Sequence, residues 1–278
     1  MNKEYFLICK DHSVTKEEFK LVKDAESDML VTTPQPDAKN LFKYYESEDY
    51  ISHTDSRRSL FEKIYQLIKQ YSLNKKVRII KQYSSPKGRL LDVGAGTGDF
   101  LLSSKKRGWQ IQGVEPNLKA RKLADEKGVH LLEDIDEIAN QKFDVITLWH
   151  VLEHVPDLES YLTKLKNLLK DDGILLVAVP NYKSYDAIHY KEFWAAYDVP
   201  RHLWHFSINS IKFLFSKEKM KVVKILPMFF DAFYVSLLSE KYKTGKMNYI
   251  KAFIFGSLSN FKALFNKNYS SLIYIIKK

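Results

Sequence analysis

The chain has 278 residues, of which 45% are hydrophobic and 28% charged, and it contains a single cysteine, Cys9. This composition supplies a sizeable core and excludes an intrinsically disordered, a collagen-like or a disulfide-framework protein. One cysteine forms neither an intramolecular disulfide nor a cysteine-rich zinc site, so we expect a cytoplasmic location. No apolar run is long enough to predict a secretory signal or a membrane-spanning helix.

The net charge of +10 is unevenly distributed. Residues 201–278 contain 14 Lys and Arg against 3 Asp and Glu, a net charge of +11, so residues 1–200 carry −1. The basic character therefore belongs to the C-terminal part of the chain and not to the part that carries the motifs described below.

Hydrophobic periodicity divides the chain into three parts. Residues 1–56 form a polar N-terminal extension, and residues 57–87 contain a linking helix with apolar side chains at three- and four-residue steps. In residues 88–278 strands alternate with helices, which is typical of a parallel sheet. We expect strands at 89–93, 110–114, 129–132, 143–148, 174–179, 221–226 and 271–276. The chain is thus predicted to be an α/β, Rossmann-like three-layer sandwich with a mostly parallel seven-stranded sheet and a helical insertion, at about 228–268, before the last strand.

A glycine-rich loop follows the first of these strands. It reads Asp92-Val93-Gly94-Ala95-Gly96-Thr97-Gly98, and Glu115 stands at the end of the second strand. Glycines suit a tight strand-to-helix turn that a ligand approaches closely, and an acidic side chain at that strand end can accept both hydrogen bonds of a ribose diol. The G-x-G-x-G spacing differs from the G-x-G-x-x-G of dinucleotide-binding loops.

Four strings within residues 88–181 carry a family resemblance: RLLDVGAGTGDFL, GVEPN, KFDVITLWHVLEHVPD and LLKDDGILLVAVPN. Their order and spacing resemble the motifs of class I S-adenosylmethionine-dependent methyltransferases, and in particular small-molecule enzymes similar to ubiquinone-type O-methyltransferases and to envelope- or sugar-modifying enzymes. The resemblance implies S-adenosylmethionine as cofactor and S-adenosylhomocysteine as product. The cofactor-binding residues that it implies are Asp92, Gly94, Ala95, Gly96, Gly98, Glu115, Pro116, Asp134, Leu148 and Trp149.

Among these, the resemblance implies that Asp92 holds the amino group of the cofactor and that Glu115 takes its ribose. Asp134 is expected to approach the adenine.

Two short segments concentrate histidines where we expect the carboxyl edge of the sheet, which is where open α/β sheets bind ligands. They are WHVLEHV, with His150 and His154, and PRHLWHFS, with Arg201, His202 and His205. Histidine suits removal of an acceptor's proton near neutral pH.

The four candidate catalytic residues are His202, His154, His150 and Arg201. We favour His202 as a base or substrate contact and Arg201 as the holder of an anion or carboxylate; capping of the following helix is the alternative. For His154, direct catalysis and a structural or cofactor-covering role both stay open. No metal site is expected, because His150 and His154 do not stand in the H-E-x-x-H order.

The first 56 residues resemble the start of some relatives in this subgroup, where a four-cysteine zinc ribbon is followed by strings like those at 33–36 and 43–50 here. Only Cys9 remains of the four cysteines, and residues 24–28 carry three acidic side chains near the place of a later cysteine pair. The resemblance implies a degenerate ribbon that has lost its zinc.

The insertion at 228–268 carries two aromatic and aliphatic stripes at helical spacing, flanked by lysines. Such faces suit a lid over an apolar substrate, a homodimer interface or peripheral contact with an anionic membrane, and packing against the sheet is the simplest alternative. We favour recruitment of a lipid-linked or otherwise amphiphilic acceptor, with the protein at the inner face of the membrane.

Together the motifs predict an S-adenosylmethionine-dependent methyltransferase that acts on a small-molecule or envelope, lipid-linked acceptor by O-methylation. Two alternatives stay open: a nucleic-acid, in particular RNA, methyltransferase, and a non-catalytic module that binds S-adenosylmethionine. A nucleic-acid partner is disfavoured because Leu148-Trp149-His150 stands where base N-methyltransferases carry an Asn/Asp-Pro-Pro-aromatic tetrad.

Overall fold

The structure is a computed structural model, and it describes residues 5–37, 42–45, 60–84, 87–138 and 141–278. Within these residues the strands are β1 (Tyr5–Lys10), β2 (Glu18–Lys23), β3 (Leu30–Thr33), β4 (Arg89–Val93), β5 (Gln110–Val114), β6 (Phe143–Trp149), β7 (Leu169–Pro180), β8 (Trp204–His205), β9 (Lys221–Pro227) and β10 (Ser271–Lys277). The α-helices are α1 (Leu60–Tyr83), α2 (Asp99–Lys105), α3 (Leu118–Glu126), α4 (Leu158–Leu168), α5 (Tyr185–Tyr190), α6 (Ile208–Lys217), α7 (Asp231–Thr244) and α8 (Tyr249–Asn266).

The larger sheet has the strand order β5-β4-β6-β7-β10-β9. Strand β4 pairs in parallel with both β5 and β6, and the register places Val93 opposite Val114 on one side and Leu148 on the other. All three side chains are buried, as expected for strands covered on both faces. The carboxyl ends of these parallel strands therefore meet at one edge, and the α/β, Rossmann-like fold is confirmed.

The larger sheet has six strands among the described residues, whereas the sequence predicts seven. The predicted strand at 129–132 contributes one isolated parallel bridge, between Val114 and Leu132. Directly afterwards Asp134 caps the 3-10 helix Ile135–Glu137. Because the chain turns away at this point, it pairs over too short a length to form a strand.

The smaller sheet is antiparallel and has the order β1-β2-β3-β8. Cys9, Phe19 and Leu21 lie in its buried face and belong to one apolar cluster with Trp194 and Tyr197. Burial raises the pKa of the Cys9 thiol far above its ordinary value, so the thiol stays protonated. The described part of the N-terminal extension is thus a folded sheet, and it shares its core with residues 182–199.

Aspartates hold the two turns of this smaller sheet. Asp11 accepts hydrogen bonds from the backbone N–H groups of Ser13 and Thr15, at 2.9 and 2.8 Å. Asp24 accepts from the N–H of Ser27 at 2.9 Å and from its hydroxyl at 2.6 Å. Carboxylates stabilise turns in this way without any metal. The descent of this segment from a zinc ribbon stays a prediction.

Helices α7 and α8 pack against each other at a close approach. A Cβ added at Gly256 would lie 2.7 Å from the ring of Phe233, so a residue without a side chain is required there. The buried Asp186 carboxylate accepts hydrogen bonds from the Trp194 indole, Ser259 and Ser270, at 2.7, 2.6 and 2.6 Å. This network ties α8 to α5 and to the start of β10.

The chain divides into two compact units. The first comprises residues 1–52, 150–158 and 178–274, and the second comprises 53–149, 159–177 and 275–278. The second unit contains the glycine loop and the first contains the candidate histidines. The predicted limit of the N-terminal extension at residue 56 lies outside the described residues. None of the helices in the described ranges is long and apolar enough to cross a membrane.

Candidate cofactor site and histidine cluster

The glycine loop that follows β4 has a backbone that side chains disfavour. Gly94, Gly96 and Gly98 have φ angles of 68°, 54° and 73°, all in the left-handed region. A Cβ added at Gly96 would find no heavy atom within 4 Å, so the loop borders open space at that point. The N–H groups of Gly94 and Ala95 both donate to the carbonyl of Val114, at 2.8 and 3.0 Å. The loop is therefore fixed to the end of β5 while one side of it is accessible to a ligand.

Glu115, the residue after β5, is held against this loop. Its Oε2 accepts a hydrogen bond from the N–H of Gly96 at 2.8 Å, and its Oε1 accepts from the N–H of Asn117 at 2.9 Å. Each carboxylate oxygen can accept two hydrogen bonds. The geometry therefore leaves one acceptor site on each oxygen, which suits the two hydroxyls of a ribose.

Asp92 lies in β4, and only 2% of it is exposed. It accepts a hydrogen bond of 2.5 Å from the Thr147 hydroxyl. Burial raises the pKa of Asp92 to about 7, although the Thr147 hydrogen bond and the positive charge of Lys76 act in the opposite direction. A buried carboxylate with a raised pKa favours a cationic ligand, because a positive charge beside it stabilises the ionised form.

Trp149 ends β6 and has an unsatisfied donor. Its Nε1 is buried and has no hydrogen-bond partner among the described residues. The Lys76 ammonium lies 4.3 Å from the centre of the Trp149 ring, and the Phe100 ring meets that ring edge-on at 5.6 Å. A buried N–H without a partner costs free energy, so it is suited to an acceptor atom of a ligand.

The remaining predicted cofactor residues are placed differently. Leu148 is fully buried in β6. Pro116 is exposed, and its carbonyl accepts a hydrogen bond from Arg121 at 2.8 Å. Asp134 is exposed and accepts from the N–H of Asp136 at 2.8 Å, as the cap of a 3-10 helix. Contact of these three residues with the cofactor stays a prediction.

The residues present in the second unit fit S-adenosylmethionine. Glu115 offers paired acceptors for a ribose, Asp92 offers a carboxylate for the amino group, and Gly96 borders the space that a ligand needs.

In the first unit, His154 and His202 present the same tautomer. The Nδ1 of His154 lies 3.0 Å from the carbonyl of Arg201, and the Nδ1 of His202 lies 2.9 Å from the carbonyl of Ala196. A carbonyl only accepts, so Nδ1 carries a proton in both rings, and in the neutral form of either ring the lone pair lies on Nε2. The two rings are 4.6 Å apart between centroids, at 78° to each other.

Glu153 lies beside these two rings. Its side chain is 1% exposed, and neither carboxylate oxygen has a hydrogen-bond partner among the described residues. Ligand atoms of Glu153, His154 and His202 all lie within 4.8 Å of one another. Burial opposes ionisation of Glu153, but the neighbouring histidines outweigh it and lower the pKa of this carboxyl.

His150 differs from the other two histidines. Its Nε2 lies 3.1 Å from Asp231 and its Nδ1 lies 3.4 Å from Glu153. Burial lowers the pKa of His150, but the carboxylates of Asp231 and Glu153 outweigh it and raise that pKa to about 10. Its φ of 58° lies in the left-handed region, which is unusual for a residue with a side chain. Strained backbone of this kind is often found at functional sites. His150 is therefore an imidazolium near neutral pH.

Burial, together with the neighbouring His202, lowers the pKa of His154 to about 4. His154 is therefore neutral near neutral pH. Its Nδ1 also lies 3.0 Å from the hydroxyl of Tyr45. Burial lowers the pKa of His205 as well, and this ring lies 2.9 Å from the Thr32 hydroxyl.

Arg201 is engaged within the protein. It donates to Asp198 at 3.0 and 2.7 Å, to Asp11 at 3.0 Å and to the carbonyl of Tyr44 at 2.8 Å. Only 3% of the residue is exposed. The structure thus places Arg201 in an ion-pair network between the β1–β2 turn and the loop before β8, and the predicted anion-holding role is not visible in these contacts.

Sequence reasoning missed Glu153 and the acidic partners Asp11, Asp198 and Asp231. The one available signal was the position of Glu153 inside the LEH string that carries His154. His202 and Asp11 reach the same region from distant parts of the chain, and spacing along the sequence does not reveal such contacts.

A family model described as "Methyltransferase domain" matches residues 49–224, which is more than half of the chain. The chain belongs to this methyltransferase family. S-adenosylmethionine is the methyl donor of the family, so the predicted enzyme class and cofactor are confirmed at the level of the family.

Curated relatives of this methyltransferase carry the name ubiquinone biosynthesis O-methyltransferase. The protein of Actinobacillus pleuropneumoniae is 38% identical over 109 residues, which are 34% of this chain and 46% of the relative. That of Rhodopseudomonas palustris is 34% identical over 108 residues, 35% of this chain and 42% of the relative. The alignment thus spans less than half of each of these relatives.

Solved structures share the fold at low sequence identity. A SAM-dependent methyltransferase from Archaeoglobus fulgidus has a TM-score of 0.53 and 19% identity, and the match covers 80% of this chain and all of that one. A cyclopropane synthase from Mycobacterium tuberculosis has a TM-score of 0.54 and 13% identity, with 88% and 100% covered. At these identities the likeness concerns the fold.

Proposed function

We propose that this chain is an S-adenosylmethionine-dependent methyltransferase that methylates an oxygen of a small-molecule or envelope, lipid-linked acceptor. The observation that carries the proposal is the Glu115 carboxylate, fixed by Gly96 and Asn117 with one acceptor site left on each oxygen. The buried Asp92 and the open space at Gly96 support it. The names of the curated relatives support an oxygen as the methylated atom.

Methyl transfer is an in-line displacement, so positioning of the reactants and exclusion of water account for much of the catalysis. S-adenosylmethionine supplies the electrophilic methyl group when it is bound. Glu115 would orient the ribose, and the ionised Asp92 carboxylate would hold the amino group. The left-handed glycines let the cofactor approach the backbone at the end of β4.

On the acceptor side, we assign activation of the hydroxyl to His154 and His202. Their Nδ1–H groups donate to carbonyls, so in the neutral form of either ring the lone pair lies on Nε2. We do not assign this step to His150, because its ring nitrogens face the carboxylates of Asp231 and Glu153, at 3.1 and 3.4 Å, which raise its pKa to about 10. Arg201 acts as a positioning residue, since its carbonyl orients His154 and its guanidinium pairs with Asp11 and Asp198.

The exposed face of α8 supports an amphiphilic acceptor at an anionic membrane surface. Ile250, Phe253, Phe261 and Phe265 are 76%, 65%, 58% and 76% exposed and fall on one side of the helix. Helix α8 contains two lysines and no acidic residue, and the region from residue 201 on carries +11. An apolar helix face with basic residues suits a surface of anionic lipid.

The proposal is tested with S-adenosylmethionine labelled in its methyl group. The purified chain is incubated with fractionated cell extract, and label is followed into lipid, glycan, small polar and RNA pools. Label in a lipid or small-molecule pool is the expected result, and release of the label as iodomethane on heating with hydriodic acid identifies an O-methyl group. Label in RNA, together with salt-sensitive RNA retention on filters, would replace it with the RNA methyltransferase. Cofactor binding without transfer to any pool would favour a non-catalytic module.

A further inference from the structure

A tyrosine of the N-terminal extension contacts the histidine cluster. The 3-10 helix Phe42–Tyr45 ends at Tyr45, whose hydroxyl oxygen lies 3.0 Å from the Nδ1 of His154. The two rings are 6.2 Å apart between centroids, at 51° to each other. Both residues belong to the first compact unit. The residues to which we assign activation of the acceptor are therefore in contact with a part of the chain that precedes the methyltransferase motifs.

Two oxygen atoms lie at hydrogen-bond distance from the same nitrogen of His154. The carbonyl of Arg201 and the hydroxyl of Tyr45 are both 3.0 Å from Nδ1. Because a carbonyl only accepts, the Nδ1–H donates to it, and the phenol oxygen is the second acceptor of the same N–H. Such three-centre hydrogen bonds occur regularly in folded proteins. Towards the imidazole, Tyr45 thus acts as an acceptor.

The backbone that carries Tyr45 is held by the same arginine. The guanidinium of Arg201 donates to the carbonyl of Tyr44 at 2.8 Å, while the carbonyl of Arg201 accepts from His154. The Tyr44 side chain adds a second attachment, because its hydroxyl donates to Glu17 at 2.7 Å. One buried residue therefore fixes both the ring of His154 and the short helix that brings Tyr45 to it.

A second acceptor restricts the ring of His154 more than one acceptor does. The torsion that turns an imidazole about its Cβ–Cγ bond has broad minima, so a ring with one hydrogen bond can still turn. Acceptors from two separate segments of the chain oppose this rotation and so fix the direction of Nε2. Direction matters because a group that takes a proton has to lie within hydrogen-bond reach of the acceptor hydroxyl.

We propose that Tyr45 is a positioning residue for His154, and that the N-terminal extension thereby completes the acceptor side of the site. This inference rests on the proposed function, which gives His154 its role in activating the acceptor hydroxyl. Tyr45 itself takes no proton and forms no bond to the acceptor. It limits the orientations of the ring that does.

The test compares Tyr45→Phe with Tyr44→Phe in the full chain. Each variant removes one hydroxyl from the same short helix, and Tyr44→Phe is the matched control because its hydroxyl contacts Glu17 and not the histidine. Transfer of labelled methyl is followed over a dilution series of the extract fraction that accepts it. We expect Tyr45→Phe to lower the limiting rate about three- to tenfold, which is the effect of one neutral hydrogen bond, at an unchanged half-saturating amount of acceptor. Tyr44→Phe should behave as the wild type.

NMR of protein labelled with ¹⁵N-histidine gives a readout that a smaller folded fraction does not imitate. The ring signals of His154, assigned by their loss in His154→Gln, report its tautomer and the hydrogen bonds of Nδ1. We expect Nδ1 to be protonated in the wild type and in both tyrosine variants. The ring shifts of His154 should change in Tyr45→Phe and stay unchanged in Tyr44→Phe.

Unchanged ring shifts or a wild-type limiting rate in Tyr45→Phe would overturn the proposal. So would a higher half-saturating amount at an unchanged limiting rate, which would make Tyr45 a contact of the acceptor. Any of these results with methyl transfer by the wild type leaves the proposed function standing. Absence of transfer by the wild type to every pool contradicts the proposed function, and the ring shifts then decide alone whether Tyr45 holds His154.

Discussion

The Glu115 carboxylate accepts a hydrogen bond of 2.8 Å from the backbone N–H of Gly96, and so joins the end of β5 to the glycine loop that follows β4. The contact connects the two strand ends that the parallel register already brings side by side. It orients a carboxylate whose remaining acceptor sites are the basis of the proposed ribose contact.

Replacement of Glu115 by alanine is expected to weaken S-adenosylmethionine binding. Hydrogen bonds to a charged group contribute about 1.5–3 kcal/mol, which corresponds to a loss of roughly ten- to a hundredfold in affinity. Titration calorimetry provides the measurement. Glu133→Ala is the control, because the Glu133 side chain is 68% exposed and forms a surface ion pair of 2.7 Å with Arg121. Equal affinities of both variants would argue against the ribose contact.

The raised pKa of Asp92 predicts a pH dependence of cofactor binding. A cationic amino group binds the ionised carboxylate, so affinity should be constant above about pH 7 and fall by up to tenfold per pH unit below it. Asp92→Asn should bind weakly and without this pH dependence. Calorimetry between pH 5.5 and 8 distinguishes these outcomes, and a wild-type affinity that stays constant over the whole range would contradict the role of Asp92.

The raised pKa of Asp92 also predicts how the stability of the protein changes with pH. Because the pKa of Asp92 is higher in the folded than in the unfolded chain, its contribution to stability is complete below the ordinary pKa of an aspartate and is lost as the pH rises through about 7. The cofactor-free Asp92→Asn protein should therefore melt higher than the wild type at pH 8, and this advantage should shrink towards pH 5. A variant less stable than the wild type at pH 8 would count against the shift.

Asp11 and Arg201 form a buried ion pair of 3.0 Å, with side chains 0% and 4% exposed. Removal of one partner of such a pair costs about 3–5 kcal/mol, because it leaves the other charge uncompensated. We expect Asp11→Ala to lower the free energy of unfolding in urea by about 3 kcal/mol, near the lower end because Asp198 still pairs with Arg201. Asp171→Ala, at a 97% exposed side chain, should leave the stability unchanged. An Asp11→Ala protein as stable as the wild type would contradict a stabilising role of this ion pair.

The apolar face of α8 predicts binding to anionic vesicles. The triple variant Ile250→Ser, Phe261→Ser and Phe265→Ser should lose most co-sedimentation with phosphatidylglycerol vesicles. It removes apolar area from the helix face that would insert into the lipid, while the lysines that attract anionic lipid remain. The control variant replaces Leu67 and Leu118, which are 71% and 56% exposed in the second unit, by serine.

Equal binding of the wild type to neutral and anionic vesicles, or none to either, would contradict this membrane contact. A shift of the wild-type protein to a dimer, abolished by the triple variant, would instead assign the face to a second copy of the chain.

The sheet was largely predictable because its strands are continuous apolar runs with clear turn signals. Strands at 89–93 and 110–114 agree with β4 and β5 residue for residue. The run at 129–132 is also largely apolar, but Asp134 caps a 3-10 helix directly after it, and the run forms one isolated bridge, between Leu132 and Val114. The length over which a strand pairs depends on the structure of the residues that follow it, and the periodicity within the run does not predict that structure.

The candidate site was predictable only in part, for a related reason. The glycine loop and Glu115 are local to their strands, so motif spacing locates them. The cluster of Glu153 with His154 and His202 depends on two loops meeting, and the carbonyls that set the histidine tautomers belong to the backbone. The histidine-rich strings indicated His154 and His202 as candidates, but residue type and spacing did not predict their contact with Glu153 or their carbonyl partners.

The affinity for S-adenosylmethionine of two glycine variants tests whether the loop after β4 binds the cofactor. Gly96 and Gly128 have φ angles of 54° and 76°, and a Cβ at either position meets nothing within 4 Å, so arginine imposes a similar backbone strain at both. Calorimetry should show one equivalent of cofactor bound to the wild type and to Gly128→Arg, and none bound to a folded Gly96→Arg. Wild-type affinity in Gly96→Arg, or no binding by the wild type, would contradict the assignment of this loop and with it the proposed methyltransferase.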